Sequence, residues 1–237
     1  MTVVARLTHS IAGPVNAGIS HSEFCILVHS RPMNSSTLVH AIATRRDSTW
    51  PIRVVSVLFI TALTAAAAQI SIPLPFTVVP FTFQPMIVLV GSLALGARLG
   101  ATSQVLYLAA GIAGLPVFAA SATLPPGALR LVGPTGGYLM AYPYAAFLVG
   151  YLAERGFDRR YLTSVMAMLA GLTVVYAGGA LWLGLFAWTA AGTAATGLQA
   201  AFTSGVAPFV LADIIKLLAA AAIVPGLWRI VGRQGQH

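Results

Sequence analysis

The chain has 237 residues, of which 58% are hydrophobic and 8% are charged, and its formal net charge is +8. A soluble domain carries about 25% charged residues, so this composition excludes an ordinary soluble domain and predicts an integral membrane protein. The single cysteine excludes an intramolecular disulfide, and the arginines lie at the ends of apolar segments, which argues against a nucleic-acid-binding face.

The first 49 residues differ from the rest of the chain. They are rich in Ser, Thr and His and hold no apolar segment long enough to span a bilayer, so we expect a disordered extension over 1–49. Four histidines lie there without metal-ligand spacing, and no metal site is predicted. Met33 is an alternative start of the translated chain.

The first predicted membrane-spanning helix covers 54–72 and follows paired arginines, Arg45 and Arg46. Such a pair also occurs in cleaved export signals, but this apolar segment is longer than a signal core, and five more spans follow. Ala62 and Ala66 lie four residues apart on the helix and form a small-residue stripe. Stripes of this kind let another helix approach closely in a membrane.

A proline-rich stretch, 72–80, separates the first span from the second. Three prolines exclude a helix there and predict an extended loop. The second span is predicted at 81–97, and Gln84 near its start either faces the bundle interior or makes an ordinary hydrogen bond between helices. The third span, 99–115, leads into a loop that contains Arg130.

A glycine-rich turn opens the fourth span, which ends near residue 153. Its residues are Gly133, Pro134, Thr135, Gly136, Gly137 and Tyr138. Glycines at a helix start let backbone N–H groups approach a ligand, although a plain turn has the same composition. The phosphate-binding loop needs a Gly-Lys pair, and the only lysine of the chain is Lys216, so this turn does not bind ATP in that way.

The arginines predict the orientation of six spans. Of the ten arginines from Arg45 to Arg233, nine fall on the side of the two termini if both termini are cytoplasmic, and only Arg130 falls on the other side. This asymmetry follows the positive-inside rule. It places the proline-rich loop, the Arg130 loop and the glycine-rich turn outside, above a pocket that opens outward.

The fifth span is predicted within 161–190. The last predicted span, 206–228, carries two ionisable residues, Asp213 and Lys216. Each costs about 2.5–3.5 kcal/mol near the bilayer centre on insertion scales, a cost that spanning a membrane does not require. Because they are three residues apart, they share one helix face. The pair is interpreted as the floor of a binding site, and the alternative is a self-neutralising pair that fixes helix packing.

Five motifs between residues 54 and 228 together resemble the BioY family, the biotin-binding S components of energy-coupling factor transporters. They are Gln69-Ile-x-Ile-Pro-Leu-Pro75, Pro80-Phe-Thr-Phe-Gln84, Gly114-Leu-Pro-Val-Phe118, Gly133-Pro-Thr-Gly-Gly-Tyr-Leu139 and Pro208-Phe-x-x-x-Asp-x-x-Lys216. The resemblance implies an all-α integral membrane protein, a compact six-helix bundle over 50–233 followed by a short tail, 234–237. It also implies biotin capture without a cofactor and without chemistry on the ligand.

The resemblance also implies roles for particular residues. Asp213 and Lys216 contact biotin, and the glycine-rich turn and the loop before it line the same pocket. Ala62 and Ala66 form the docking face for a transmembrane coupling subunit. The implied partners are that subunit and two cytoplasmic ATPases, or further copies of the chain if it works alone, in the bacterial cytoplasmic membrane.

The chain departs from the family where many relatives have an Asn- or Gly-rich segment. Here residues 119–126 are mainly Ala and Pro, so we expect a lid contact to the ligand carboxylate either to be lost or to move to Ser121, Thr123 or Arg130. The floor fits biotin on chemical grounds, because a carboxylate accepts ureido N–H groups and an ammonium donates to a carbonyl or carboxylate. Tyr138 and Phe209 are candidates for the apolar wall.

Two other functions compete with biotin capture. An S component for another vitamin would need the same architecture. An intramembrane enzyme would use Asp213 as a general acid or base, but such enzymes usually carry further acids, histidines or metal ligands within their spans.

Overall fold

The computed structural model describes residues 37–45, 49–72, 74–75, 77, 79–120, 127–191, 197, 199 and 201–233. Within the chain, Ser35–His237 forms one compact unit. The predictions for 1–36, including the alternative start at Met33, and for the tail 234–237 lie outside the described residues. So do those for the lid residues Ser121 and Thr123.

The described residues are almost entirely helical, with one short antiparallel hairpin of β1 (Ser71–Ile72) and β2 (Phe81–Thr82). The helices are α1 (Leu38–Arg45), α2 (Thr49–Gln69), α3 (Gln84–Leu95), α4 (Ala97–Ile112), α5 (Leu129–Val132), α6 (Gly136–Leu152), α7 (Tyr161–Ala191), α8 (Ala207–Ala220) and α9 (Ile223–Arg233). One π-helical turn, Ala153–Phe157, follows α6, and another, Ala201–Val206, precedes α8.

Each of the six segments predicted to span the membrane carries helix. Among the described residues, three stretches are long and apolar enough to cross a bilayer, Trp50–Gln69, Tyr161–Ala187 and Ala201–Ile230. Helices α3, α4 and α6 have 12, 16 and 17 residues, which is short for a span of about 20 residues. The structure therefore supports a mostly helical membrane protein with three candidate membrane helices.

Several predicted element boundaries differ from the structure, and proline explains two of the differences. The second span was expected from residue 81, but Phe81–Thr82 pairs as strand β2, and α3 begins at Gln84 with Pro85 in its first turn. The last span was expected to be one helix, but it breaks between α8 and α9. Pro225 has no N–H to donate to the carbonyl of Ala221, so the α-helical hydrogen-bond pattern cannot run through this point.

Helix α1 lies inside the segment for which an extension was predicted. Thr37, just before it, and Leu38 are both buried, and the Thr37 hydroxyl donates to the carbonyl of Leu95 at 3.4 Å. Part of the N-terminal segment thus packs on the end of α3.

Helix α6 occupies the centre of the bundle and packs on α3, α4 and α7. Its inner face uses small residues: Ala145 and Ala146 are fully buried, and Gly150 lies against the backbone of Gly96 and Ala97, where a Cβ would not fit. Small residues allow this close approach between helices.

The irregular segments meet at one end of the bundle. The Thr77 hydroxyl donates to the Ser204 carbonyl at 2.6 Å, which ties the proline-rich loop to the turn before α8. Tyr138, in the first turn of α6, donates to the Gly205 carbonyl at 2.8 Å. Three separate connections are thereby brought together over one cavity.

Candidate binding site

A cavity of about 370 Å³ lies beneath these connections, within the range of about 300–1,000 Å³ that is usual for small-molecule sites. Its wall is mostly apolar and aromatic, with a few polar groups. The lining residues are Leu74, Thr77, Val79, Pro80, Phe81, Thr82, Gln84, Pro85, Phe118, Ala119, Ala120, Arg130, Pro134, Thr135, Tyr138, Leu139, Tyr142, Val175, Tyr176, Gly205, Phe209 and Asp213.

The carboxylate of Asp213 is held by two partners. Its Oδ1 forms an ion pair with Lys216 one turn along α8, and its Oδ2 accepts a hydrogen bond of 2.7 Å from the Tyr176 hydroxyl on α7. The side chains of Asp213 and Lys216 are each only 11% exposed. Since each carboxylate oxygen has two acceptor sites, Asp213 retains capacity for donors from a ligand in the cavity.

Lys216 does not line the cavity in this structure. Its ammonium donates to the Thr82 carbonyl at 2.8 Å and lies 4.0 Å from the ring centre of Phe81 and 5.3 Å from that of Phe83. Lys216 therefore neutralises Asp213 from behind the wall and ties α8 to the hairpin. The aromatic faces add cation–π attraction at a site with little water.

Gln84 lines the cavity and is buried. Its amide nitrogen donates to the Tyr107 hydroxyl at 2.5 Å, and Tyr107 in turn donates to the Val117 carbonyl at 3.2 Å. The sequence left two interpretations of Gln84 open, a side chain that faces the bundle interior and an ordinary hydrogen bond between helices. Gln84 does both, because it faces the interior and also joins α3 to α4.

Some residues of the glycine-rich turn line the cavity, and the others pack against neighbouring segments. Pro134, Thr135 and Tyr138 line the cavity. The three glycines, Gly133, Gly136 and Gly137, do not line it. Gly136 lies against the Leu131 carbonyl and Gly137 against Trp182, so a Cβ would not fit at either position, and the Gly133 carbonyl accepts a hydrogen bond from the Trp182 indole N–H at 2.8 Å.

Arg130 and Phe209, two of the residues predicted to contact the ligand, both line the cavity. Arg130 lies on the short helix α5, and burial lowers the pKa of its guanidinium below the usual value, although such a group stays protonated at neutral pH. The cavity therefore has a carboxylate on one wall and a guanidinium on another. This suits a ligand with hydrogen-bond donors at one end and negative charge at the other.

Sequence reasoning missed three contributors to the site. Tyr176 donates a hydrogen bond to Asp213 from another helix. It lies 37 residues before Asp213 in the chain, so no local sequence pattern reveals the contact. The Thr82 carbonyl is a backbone group, which sequence does not distinguish. Tyr142 could have been found, because it lies four residues after Tyr138 and therefore on the same face of α6.

In the part of the chain that the structure describes, no group of three or more His, Cys, Asp or Glu side chains is placed to hold a metal ion. The polar groups of the cavity act as hydrogen-bonding and charged partners for a ligand.

Comparison with known proteins gives consistent results. The sequence model of the BioY family matches residues 36–233. A probable biotin transporter BioY from Pyrococcus horikoshii is 40% identical over 70% of this chain and 90% of its own length. The biotin transporter BioY from Thermotoga maritima is 38% identical over 69% of this chain and 88% of its own length.

A solved structure agrees with these relatives. The crystal structure of the S-component for biotin from an ECF-type ABC transporter matches with a TM-score of 0.63 and 26% identity, over 75% of this chain and 90% of that one. The family match covers most of the sequence and nearly all of the described helices. The chain belongs to the BioY family.

Proposed function

We propose that this chain is the biotin-binding membrane subunit of a biotin uptake transporter, which captures the vitamin with high affinity and performs no chemistry on it. The observation that carries this proposal is the fixed carboxylate of Asp213 on the wall of an otherwise largely apolar cavity. The family consists of transporter S components and not of enzymes, and the relatives are named as biotin transporters.

The cavity suits both ends of biotin. The ureido ring has two N–H donors, and the carboxylate of Asp213 accepts such donors with charge-assisted strength. The valerate tail ends in a carboxylate, for which Arg130 is the matching cation. The thiophane ring and the methylene chain need apolar surface, which Phe209, Tyr138 and neighbouring rings provide.

The proposal includes six membrane spans with both termini in the cytoplasm of a bacterial cell, in its cytoplasmic membrane. The distribution of arginines supports this orientation. It places the cavity and its connecting loops on the outer side, where a transporter meets its solute.

A transmembrane coupling subunit is proposed to dock on α2. Ala62 and Ala66 are both exposed, and Val55, Leu58 and Phe59 extend the same apolar surface toward the start of the helix. The sequence has no phosphate-binding loop, so energy would come from two cytoplasmic ATPases through that subunit. If the chain works alone, further copies of it are the alternative partner.

A vitamin panel tests the ligand assignment. The protein is purified in mild detergent, and its tryptophan fluorescence is titrated with biotin and with other vitamins, while small molecules that co-purify are identified by mass spectrometry. We expect biotin to bind most tightly and to co-purify. A response to another vitamin without a response to biotin would show that the chain is an S component for a different solute.

A further inference from the structure

Helix α6 and the π-helical turn that follows it leave a single narrow stripe of side chains exposed. Between Gly136 and Arg155, only Tyr144, Phe147, Tyr151 and Arg155 are exposed. Their spacing of three, four and four residues puts them on one face of the helix. None of these residues belongs to the cavity.

The stripe forms a continuous surface with a charged end. The rings of Phe147 and Tyr151 stack with centres 6.3 Å apart. The guanidinium carbon of Arg155 lies 3.3 Å from the centre of the Tyr151 ring. Three aromatic rings thus lead along the helix to a cation.

A second exposed arginine, Arg98, lies beside this end. The backbone N–H of Ala97 donates to Oε1 of Glu154 at 2.9 Å. In the sequence, Arg98 directly follows Ala97 and Arg155 directly follows Glu154. The Glu154 carboxylate thereby serves the first turn of α4. Arg98 lies in that same turn, where the helix dipole disfavours a cation, so an external anion would be stabilising there.

The other described carboxylates do not balance these charges. Asp158 is 1% exposed and accepts a hydrogen bond from Trp228, and Asp213 belongs to the cavity. The surface formed by Arg98, Arg155 and the aromatic stripe is therefore complementary to an anion with a long apolar part.

The length of the stripe identifies its occupant. From Tyr144 to Arg155 it extends about 16 Å at ~1.5 Å per residue, which matches one half of a hydrocarbon core of ~30 Å. Above Tyr144 the side chains of α6 are buried or partly buried, so the exposed stripe covers the depth of one leaflet.

We propose that this surface binds an anionic phospholipid from the surrounding bilayer, with its phosphate at Arg98 and Arg155 and an acyl chain along Tyr151, Phe147 and Tyr144. The site is independent of the biotin cavity. Basic groups near a membrane surface contribute about fivefold each to binding of anionic lipid, so the two arginines together contribute about thirtyfold.

Native mass spectrometry of the whole protein in mild detergent tests the site. Phosphatidylglycerol and phosphatidylethanolamine with the same acyl chains are added in turn, and their dissociation constants are compared. We expect the unaltered protein to prefer phosphatidylglycerol, and the Arg98→Gln/Arg155→Gln variant to lose about thirtyfold in affinity for it. Arg160→Gln/Arg229→Gln, which removes two exposed arginines elsewhere, should keep the preference.

A second pair of variants tests the apolar part. Phe147→Ala/Tyr151→Ala should weaken phosphatidylglycerol binding several-fold, whereas Leu181→Ala/Leu211→Ala, at 70% and 72% exposed positions on other helices, should not. Thermal unfolding in the same detergent checks that each variant is folded.

Three results would overturn the proposal. The first is equal affinity of the unaltered protein for the two lipids, a comparison that needs no substitution. The second is an equal loss in the control arginine variant, which would indicate unspecific charge attraction. The third is a dimer of the chain that excludes the lipid and dissociates in Phe147→Ala/Tyr151→Ala, which would assign the stripe to a second copy.

Discussion

At the scale of single residues, the site depends on how Asp213 is oriented. Lys216 pairs with the Asp213 carboxylate without lining the cavity. Its ammonium also contacts the Thr82 carbonyl and two aromatic rings, so Lys216 orients the carboxylate from outside the cavity. Tyr176 is the partner that approaches from the cavity side, since it lines the cavity itself. The two partners fix the direction of the Asp213 carboxylate, which is what a ligand with N–H donors requires.

Tyr176→Phe tests this role. It removes one hydrogen bond to a charged group, and such bonds contribute about 1.5–3 kcal/mol, so biotin binding should weaken by about tenfold to a hundredfold. Isothermal titration of the purified variant measures the loss. Tyr144→Phe makes the same chemical change on the exposed face of α6 and should bind biotin like the unaltered protein; equal affinities in all three proteins would contradict the role of Tyr176.

The sequence singled out the charged pair and the glycine-rich turn because their residue types are unusual in a membrane segment or at a helix start, whereas Arg130 was expected from the family resemblance and Phe209 from the apolar wall that a ligand needs. It did not predict which way Lys216 would lie. That outcome depends on strand β2 and on the rings beside it, whose position relative to α8 is set by contacts between segments more than 130 residues apart. Tyr176 was missed for the same reason.

At the scale of elements, each segment that hydropathy predicted to span the membrane carries helix, but the ends of several helices differ from the prediction. Proline explains two of the differences: Pro85 starts α3 later than expected, and Pro225 separates α8 from α9. The small-residue stripe of α2 is a further element whose importance the sequence suggested. In the structure its alanines are exposed, while Thr64 and Ala68 on the opposite side are buried.

Ala62→Trp tests whether α2 is a docking surface. The bulky side chain should block close approach of a coupling subunit and impair energised biotin uptake in cells, while leaving biotin binding by the purified protein unchanged. Leu181→Trp, on the exposed face of α7, should affect neither activity. If Ala62→Trp reduced binding and uptake equally, the substitution would be acting on the fold, and the docking assignment would fail.

At the scale of the whole molecule, stability should depend on pH through Asp158, at the end of the bundle opposite the cavity. This carboxylate accepts a hydrogen bond of 2.6 Å from Trp228, but its Oδ1 is buried without a hydrogen-bond partner. Burial raises the pKa of Asp158 above its usual value, with the Trp228 hydrogen bond acting in the opposite direction. The folded protein therefore binds this proton more tightly than the unfolded chain does.

The sign of the pH effect follows from that difference. The stabilisation is fully present below the unfolded-state pKa of about 3.9 and is lost as the pH rises through the raised folded-state pKa. Acidification from neutral pH should therefore stabilise the unaltered protein relative to Asp158→Asn, which cannot titrate. Thermal unfolding of both proteins in detergent at several pH values measures this, and a difference that stays constant with pH would contradict it.

The central claim is that the carboxylate of Asp213 binds the ligand, and isothermal titration of Asp213→Asn with biotin tests it most directly. Asp158→Asn is the matched control, because it makes the same change in a buried acid at the other end of the bundle. We expect Asp213→Asn to lose about 2–5 kcal/mol of the free energy of biotin binding, because a charge-assisted contact is lost and Lys216 is left without its counter-ion. Asp158→Asn should bind biotin with unchanged affinity, whereas a folded Asp213→Asn protein that binds biotin as tightly as the unaltered one would contradict the account.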